Sequence, residues 1–179
     1  MIRLFVALGL PQGLKDRLAM LAGGVPGAKW VPRENLHLTI RFIGEVPEDR
    51  FADIHHGLSR VRQAPFDVAL AGIGSFHQGR KATDLWVGLD RNEELQQLHD
   101  KVDQALQREG FAPDGRRFTP HVTLARLQKA PEGRIAAFTA QHNLFRAPPF
   151  RAEEFTLFSS FLSSSHAIYT AEAEYPLIP

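Results

Sequence analysis

Cysteine is absent from the 179 residues, so disulfide frameworks, thiolate-bound zinc and thiol nucleophiles are all excluded. A reducing compartment is compatible with that composition. Neither sign of charge dominates: 21 Lys and Arg stand against 20 Asp and Glu, leaving a formal net charge of +1. Proteins that grip many phosphates of a duplex carry a strong basic excess, so the balance argues against an extended duplex ligand and leaves a small or terminal phosphate open. No apolar stretch approaches the roughly 20 residues that span a bilayer. The opening segment has one basic residue, Arg3, before a short apolar run and lacks the small-residue cleavage site of a secretory signal. The expected location is the cytoplasm. There is no Gly-x-Ser-x-Gly elbow of a serine hydrolase, and Gly72-x-Gly74 is not completed into a phosphate-cradling loop that opens a helix.

What is present is ordinary globular material, 44% hydrophobic and 23% charged, in a length that suits one well-cored domain or two small, intimately packed lobes. Apolar periodicity predicts a strand over 2–8, then a helix after Pro11 with Leu14, Leu18 and Leu21 on one face. A short edge strand at 29–31 and a strand over 36–43 follow, the latter ended by a turn at 44–47. Next come a helix over 48–61, one strand over 66–76, a polar loop at 77–81 and a strand over 85–89. The clearest helix is 92–109, with Leu95, Leu98, Val102 and Leu106 as its stripe and Gly110 at the expected C-terminal cap. The remaining elements are a strand over 118–125, a short helix after Pro131, and a hairpin of 153–162 and 166–175 joined through three serines.

Two tetrads dominate the pattern: His37-Leu38-Thr39-Ile40 and His121-Val122-Thr123-Leu124. On an extended strand alternate side chains share a face, so each tetrad presents His and Thr on one side and buries its apolar pair on the other. At this composition a random chain of the same length would contain about 0.06 such tetrads. The surroundings repeat as well. His37 with His121, Thr39 with Thr123, Pro47 with Pro131 and Phe66 with Phe150 are all separated by the same interval, and Leu4–Leu8 resembles Leu85–Leu89. The chain therefore reads as a duplication, with halves of about 1–82 and 83–179 inside a single domain, 1–179. An approximate two-fold axis between the halves would bring the motif strands together across a cleft, turning two polar pairs into one site.

Histidine, with an unperturbed pKa of about 6.5, holds or releases a proton near neutrality. Two facing imidazoles can divide the work of general base and general acid, each worth about 10²- to 10⁴-fold in rate. Neighbouring threonine hydroxyls can hydrogen-bond phosphate oxygens where charge collects. An isolated His-Thr pair on a strand is usually a polar cross-strand decoration; its repetition at matched positions is what favours chemistry. A metal site fits less well, because zinc wants a third protein ligand and the motif offers Thr in its place. No metal and no cofactor is expected. His99 and Asp103 lie one helical turn apart and read as a solvated pair on an exposed face, while His55, His56, His77, His142 and His166 show no partner pattern.

At these residues the chain resembles the two-histidine phosphoesterase superfamily, marked by paired H-x-T-x motifs on a duplicated, bilobal α/β fold. Arg3-Leu4-Phe5-Val6-Ala7, the run from Asn35 to Val46, and the run from Pro120 to Arg126 are similar in style to its bacterial RNA 2′,3′-cyclic phosphodiesterases, also called 2′-5′ RNA ligases or LigT-like proteins. The resemblance implies an α/β (α+β) architecture with pseudo-two-fold symmetry, two mainly antiparallel sheets flanking a central cleft with helices outside. It also implies metal-independent opening of a 2′,3′-cyclic phosphate at an RNA 3′ end to a 2′-phosphomonoester. In that reaction His121 would be the base that activates water, His37 the acid that protonates the 3′ oxygen, and Thr39 and Thr123 the groups that hold the phosphate. Its partners would be RNA or nucleotides with cyclic phosphate ends, with no membrane and no obligate protein partner. Arg41 and Arg126 are the nearest permanent cations suited to phosphate. Strict alternation puts Arg41 on the face of His37 and Thr39, and Arg126 opposite His121 unless that strand bends; it puts Phe42 in the core. Two other readings stay open: a nucleotide-binding module without useful turnover, and 2′-5′ RNA ligation.

Overall fold

The run Leu4–Leu8 is buried at every position, as a strand covered on both faces requires. It is the centre of β1 (Ile2–Gly9) in the computed structural model, which describes residues 1–179. Pro11, unable to donate a backbone hydrogen bond, stands immediately ahead of α1 (Gln12–Ala19), whose Leu14 and Leu18 are buried. β2 (Ala28–Trp30), a 3-10 turn at Arg33–Asn35 and β3 (His37–Val46) follow. A second 3-10 turn leads into α2 (Phe51–Ser59), then β4 (Phe66–Val68), β5 (Leu70–Gln78), β6 (Lys81–Leu89) and α3 (Glu93–Arg108). The chain ends with β7 (Val122–Leu127), α4 (Glu132–His142), β8 (Phe150–Ala152), β9 (Glu154–Leu162) and β10 (Ala167–Pro176). The long helix α3 is closed at both ends. The Asn92 side chain accepts from the Leu95 N–H at 2.9 Å, and Gly110, at φ 93°, turns the chain away.

Several boundaries differ from the sequence pattern. β6 begins at Lys81 and not at 85, because its first residues pair with His77 and Gln78 of β5 where the sequence predicts a polar loop. β7 begins at Val122 and not at 118. β3 continues to Val46 because Gly44, at φ 92°, absorbs an irregularity in the ladder with β1, which runs on to the Ile2–Val46 pair. The stretch 66–76 divides in two because Phe66–Val68 pairs with β8, whereas the residues from Leu70 onward pair with β6.

The result is two four-stranded antiparallel sheets, ordered β10-β9-β1-β3 and β2-β7-β6-β5, with β4 and β8 as a separate pair. The trio β9-β1-β3 in the first sheet corresponds to β5-β6-β7 in the second, leaving β10 and β2 as edge strands without a counterpart. The repeated units exchange a strand. β9 joins the sheet of β1 and β3, and β5 joins that of β6 and β7. Helices cover the outer faces: α3 meets β3, α2 meets β10, and α4 meets β5. α2 and α3 approach closely at Gly57, where a Cβ would come within 3.1 Å of the Ala105 carbonyl oxygen. One continuous core of 37 buried residues joins both lobes, and between them β3 and β7 come together to form a cleft. No helix is long and apolar enough to cross a membrane.

Candidate active site

Both imidazoles are aimed by the backbone that precedes them. His37 Nδ1–H donates to the Asn35 carbonyl at 2.6 Å, and His121 Nδ1–H donates to the Thr119 carbonyl at 2.6 Å. In each case the carbonyl lies two residues upstream, so the same entry into the strand fixes the ring orientation and leaves the lone pair on Nε2. Thr39 Oγ1–H donates to His37 Nε2 at 2.9 Å, whereas Nε2 of His121 has no partner within the protein. Asn35 is buried, and its amide donates to the Ala167 carbonyl at 2.7 Å, which ties the turn ahead of His37 to β10. The sequence motif does not single out Asn35 or Thr119. Alternation, which sets residue i−2 beside residue i, is the signal that would have found them.

Each histidine sits between two aromatic rings. Phe5 at 5.0 Å and a perpendicular Tyr169 at 5.3 Å flank His37; Trp86 at 5.8 Å and a perpendicular Phe76 at 4.8 Å flank His121. Phe5 and Trp86 are equivalent positions on β1 and β6. Phe76 has Ser160 as its counterpart on β9, and the small serine leaves room for Tyr169, directly across from it on β10, to bring a ring to the matching place. Gly74 makes the converse adjustment. Its counterpart Phe158 stacks on Phe5 at 5.3 Å, while a Cβ at Gly74 would lie 2.2 Å from the Trp86 ring. The symmetry of the two clamps is kept by non-equivalent residues.

β3 and β7 both break register immediately after the threonine. In β3 the ladder with β1 passes from Ala7–Thr39 to Val6–Arg41 and skips Ile40; in β7 the ladder with β6 passes from Trp86–Thr123 to Leu85–Ala125 and skips Leu124. Such a bulge sends every following side chain to the other face. Arg41 is therefore not beside His37, contrary to strict alternation. It is 8% exposed, its Nε donates to Asp103 on α3 at 2.8 Å, and its terminal nitrogens donate to the carbonyls of Phe42 and Ala112. Each of its three nitrogens is held within the protein, which turns that guanidinium toward α3 and away from the histidine face. Phe42 leaves the core for the cleft, 52% exposed beside Phe5. The same shift brings Arg126 round to the His121 face, its side chain 69% exposed and held by one N–H to Asp84 at 3.0 Å. Phe42 and Arg126 are equivalent positions, so a ring on one strand faces a cation on the other. His99 also departs from expectation: it is buried, stacked on Phe118 at 4.3 Å, with Asp114 at 3.4 Å, and its supposed partner Asp103 is taken by Arg41.

The cleft disfavours the charged form of both imidazoles. Burial is the largest cause and holds His37 and His121 below the ordinary histidine pKa, against the upward pull of their carbonyl partners. His121 lies close enough for its charge to push His37 down further, with Lys15 and Arg126 acting in the same direction. At His121 the Asp84 carboxylate raises the pKa and Arg126 lowers it. Both bases feel one guanidinium, and an anion placed near them would raise the proton affinity of both. No group of three or more His, Cys, Asp or Glu side chains is arranged to hold a metal ion.

A two-lobed antiparallel fold that brings duplicated His-x-Thr strands together over an aromatic and cationic cleft defines the paired-histidine class of phosphoesterase scaffolds. The chain matches the 2′-5′ RNA ligase superfamily over residues 11–161 and belongs to that family. It is 31% identical over 172 residues to the RNA 2′,3′-cyclic phosphodiesterase of Archaeoglobus fulgidus, an alignment that covers 94% of this chain and 96% of that protein. Among solved structures, E. coli LigT in apo form is similar with a TM-score of 0.81 at 25% identity, covering 99% of this chain and 98% of that one. E. coli LigT complexed with 3′-AMP gives a TM-score of 0.77 at 27% identity, covering 98% of each chain.

Proposed function

We propose that this protein hydrolyses 2′,3′-cyclic phosphate ends of RNA to 2′-phosphomonoesters, with His37 and His121 as a metal-independent acid–base pair. It is a phosphodiesterase of the superfamily named above, and the activity carried by the names of its relatives supports RNA as the substrate class. The observation that carries the reading is the matched pair of imidazoles, each with Nδ1 committed to a backbone carbonyl and both feeling the Arg126 charge.

His121, whose Nε2 is free of protein partners, takes a proton from water as the water oxygen attacks phosphorus. The bond from phosphorus to the 3′ oxygen breaks, and His37 supplies the proton that lets this oxygen leave as a hydroxyl. The phosphate stays on the 2′ oxygen. Arg126 and the hydroxyls of Thr39 and Thr123 hold the non-bridging oxygens, where charge grows in the transition state. His37 must be protonated for this role, although its surroundings oppose the charge. The phosphodiester anion supplies the missing attraction when it arrives. Once Nε2 carries a proton, the Thr39 hydroxyl can no longer donate to it and turns its own proton to the phosphate. Phe42 offers an exposed ring against which the nucleobase can stack.

Incubation with a nucleoside 2′,3′-cyclic phosphate in excess chelator, followed by identification of the product isomer, tests the proposal. A 2′-monophosphate is expected. A 3′-monophosphate, a reaction abolished by chelator, or tight nucleotide binding with no turnover would overturn it.

A further inference from the structure

β1, β9 and β10 set Arg3 across from Ser160 and Ser160 across from Tyr169. Directly opposed residues share a face of a sheet. Tyr169 packs its ring on Phe5 at 5.0 Å and on His37, so the shared face is the one that lines the cleft. The row lies outward from the histidine. Along β1 that face runs from Ala7, opposite Thr39, through Phe5 to Arg3, and at about 3.3 Å per residue the Arg3 Cα stands roughly 13 Å from that of Ala7. A flexible guanidinium at that distance reaches back toward a phosphate one nucleotide beyond the reacting one.

The polar groups of the row are unengaged. Arg3 is exposed and makes no ion pair, although Glu45 lies across from it on β3. Neither the Ser160 nor the Tyr169 hydroxyl has a hydrogen-bond partner in the protein. Burial raises the Tyr169 pKa while Arg126, from the opposite sheet, and Arg3, from its own, pull it back; the phenol therefore feels both cations. The second lobe offers no equivalent row. The position that matches Arg3 on β6 is Asp84, whose carboxylate is occupied by Arg126.

We propose that Arg3, Ser160 and Tyr169 form a second anion subsite, which takes the phosphodiester joining the cyclic-phosphate nucleotide to its 5′ neighbour, so that the preferred substrate is an oligonucleotide end. This rests on the cyclic-phosphodiesterase reading above. The RNA strand then leaves the cleft across the first sheet, on the His37 side.

The test compares kcat/KM for uridine 2′,3′-cyclic phosphate and for the dinucleotide UpU with a 2′,3′-cyclic end, in the wild type, Arg3→Gln and Tyr169→Phe. Hydrogen bonds to a charged phosphate make the wild type favour the dinucleotide by about tenfold or more, and each variant brings the ratio toward one. Arg3→Gln also lowers the salt slope of the dinucleotide reaction by about 0.7. Tyr169→Phe keeps the ring that packs on His37, so a lost ratio there reports the hydroxyl and not the packing. A wild-type ratio near one, or variants that slow both substrates alike with the ratio kept, overturns the subsite. If the wild type turns over neither substrate, the hydrolase reading fails instead. The subsite is then decided by calorimetric affinity for UpU bearing a 2′-phosphate against 2′-UMP, and equal affinities overturn it.

Discussion

The two walls of the cleft carry the same motif and place their charges differently. On β3 and on β7 a bulge after His-x-Thr turns one residue inward and the next toward the cleft. The inward residue is Arg41 on one strand and Ala125 on the other; the outward one is Phe42 on one and Arg126 on the other. On a common backbone, one strand carries a ring at the position where its mate carries a cation. Under the reading proposed above, the ring would meet the nucleobase and the cation the phosphate.

The comparison breaks most completely if each half can stand alone. Because β9 and β5 are exchanged, residues 1–82 contain no partner for the β9 edge of β1, and residues 83–179 none for the outer edge of β6. We expect neither fragment to show a cooperative thermal transition by circular dichroism. A sharp melt from either one would mean that a sequence half is a folding unit.

Next in size is the loss of either imidazole: His37→Ala and His121→Ala should each lower kcat/KM by about 10²- to 10⁴-fold. Their pH dependence distinguishes the walls further. The bell of kcat/KM reports the free protein, and both imidazoles are held below the ordinary value of about 6.5, so its maximum should lie on the acid side of that value. The bell of kcat reports the complex, in which the bound anion raises both groups, and should lie to the alkaline side of the first. Arg126→Gln removes a cation that lowers both histidines and should move both limbs of the kcat/KM bell upward in pH. Stability follows the same sign. The unfolded histidines take up protons near pH 6.5 while the folded ones resist, so stability should fall as pH falls through that value. A kcat bell displaced to the acid side of the kcat/KM bell would remove this electrostatic account.

The two arginines offered by the sequence as candidate phosphate contacts separate cleanly in their expected effects. Arg41→Ala removes a buried guanidinium and leaves the half-buried Asp103 carboxylate without the group that, against the raising effect of burial, holds its pKa low. It should cost about 3 kcal/mol of stability by urea denaturation. Arg126→Ala removes a largely exposed guanidinium from Asp84, which keeps the Thr83 hydroxyl as a donor, and should change stability by less than about 1 kcal/mol while lowering activity.

How far the site is legible in the sequence follows from the range over which local rules act. His37, Thr39, His121 and Thr123 fall before the bulges, where period-two alternation holds, and their shared face is plain from four residues. Arg41, Phe42 and Arg126 fall after them. The bulge is created by pairing with β1 or β6, so nothing within the motif announces it. Arg41 and Phe42 are accordingly inverted by strict alternation, and Arg126 is reached only through the bend. Tyr169 is further from view, since its place depends on a pairing between β9 and β10 and on the small size of Ser160. The helices and most strands were readable from periodicity and caps such as Asn92 and Gly110. The strand exchange was not, because each strand's own sequence is satisfied by either neighbour.

The smallest expected effect is the one that sharpens the contrast most. Phe42 projects an exposed ring from the wall opposite Arg126, and stacking of a base on such a ring is worth about 1 kcal/mol or somewhat more. Phe42→Ala should therefore raise KM for a nucleoside 2′,3′-cyclic phosphate about fivefold, with little change in kcat, because the base is bound equally in the ground and transition states. Ribose 2′,3′-cyclic phosphate, which has no base, should be unaffected by that substitution. Arg126→Ala should instead slow both substrates by the same factor, since both carry the phosphate. If Phe42→Ala also penalises the base-free substrate to the same degree, the ring shapes the cleft through its packing on Phe5 and does not read the base, and the division of labour between the two walls fails on that side.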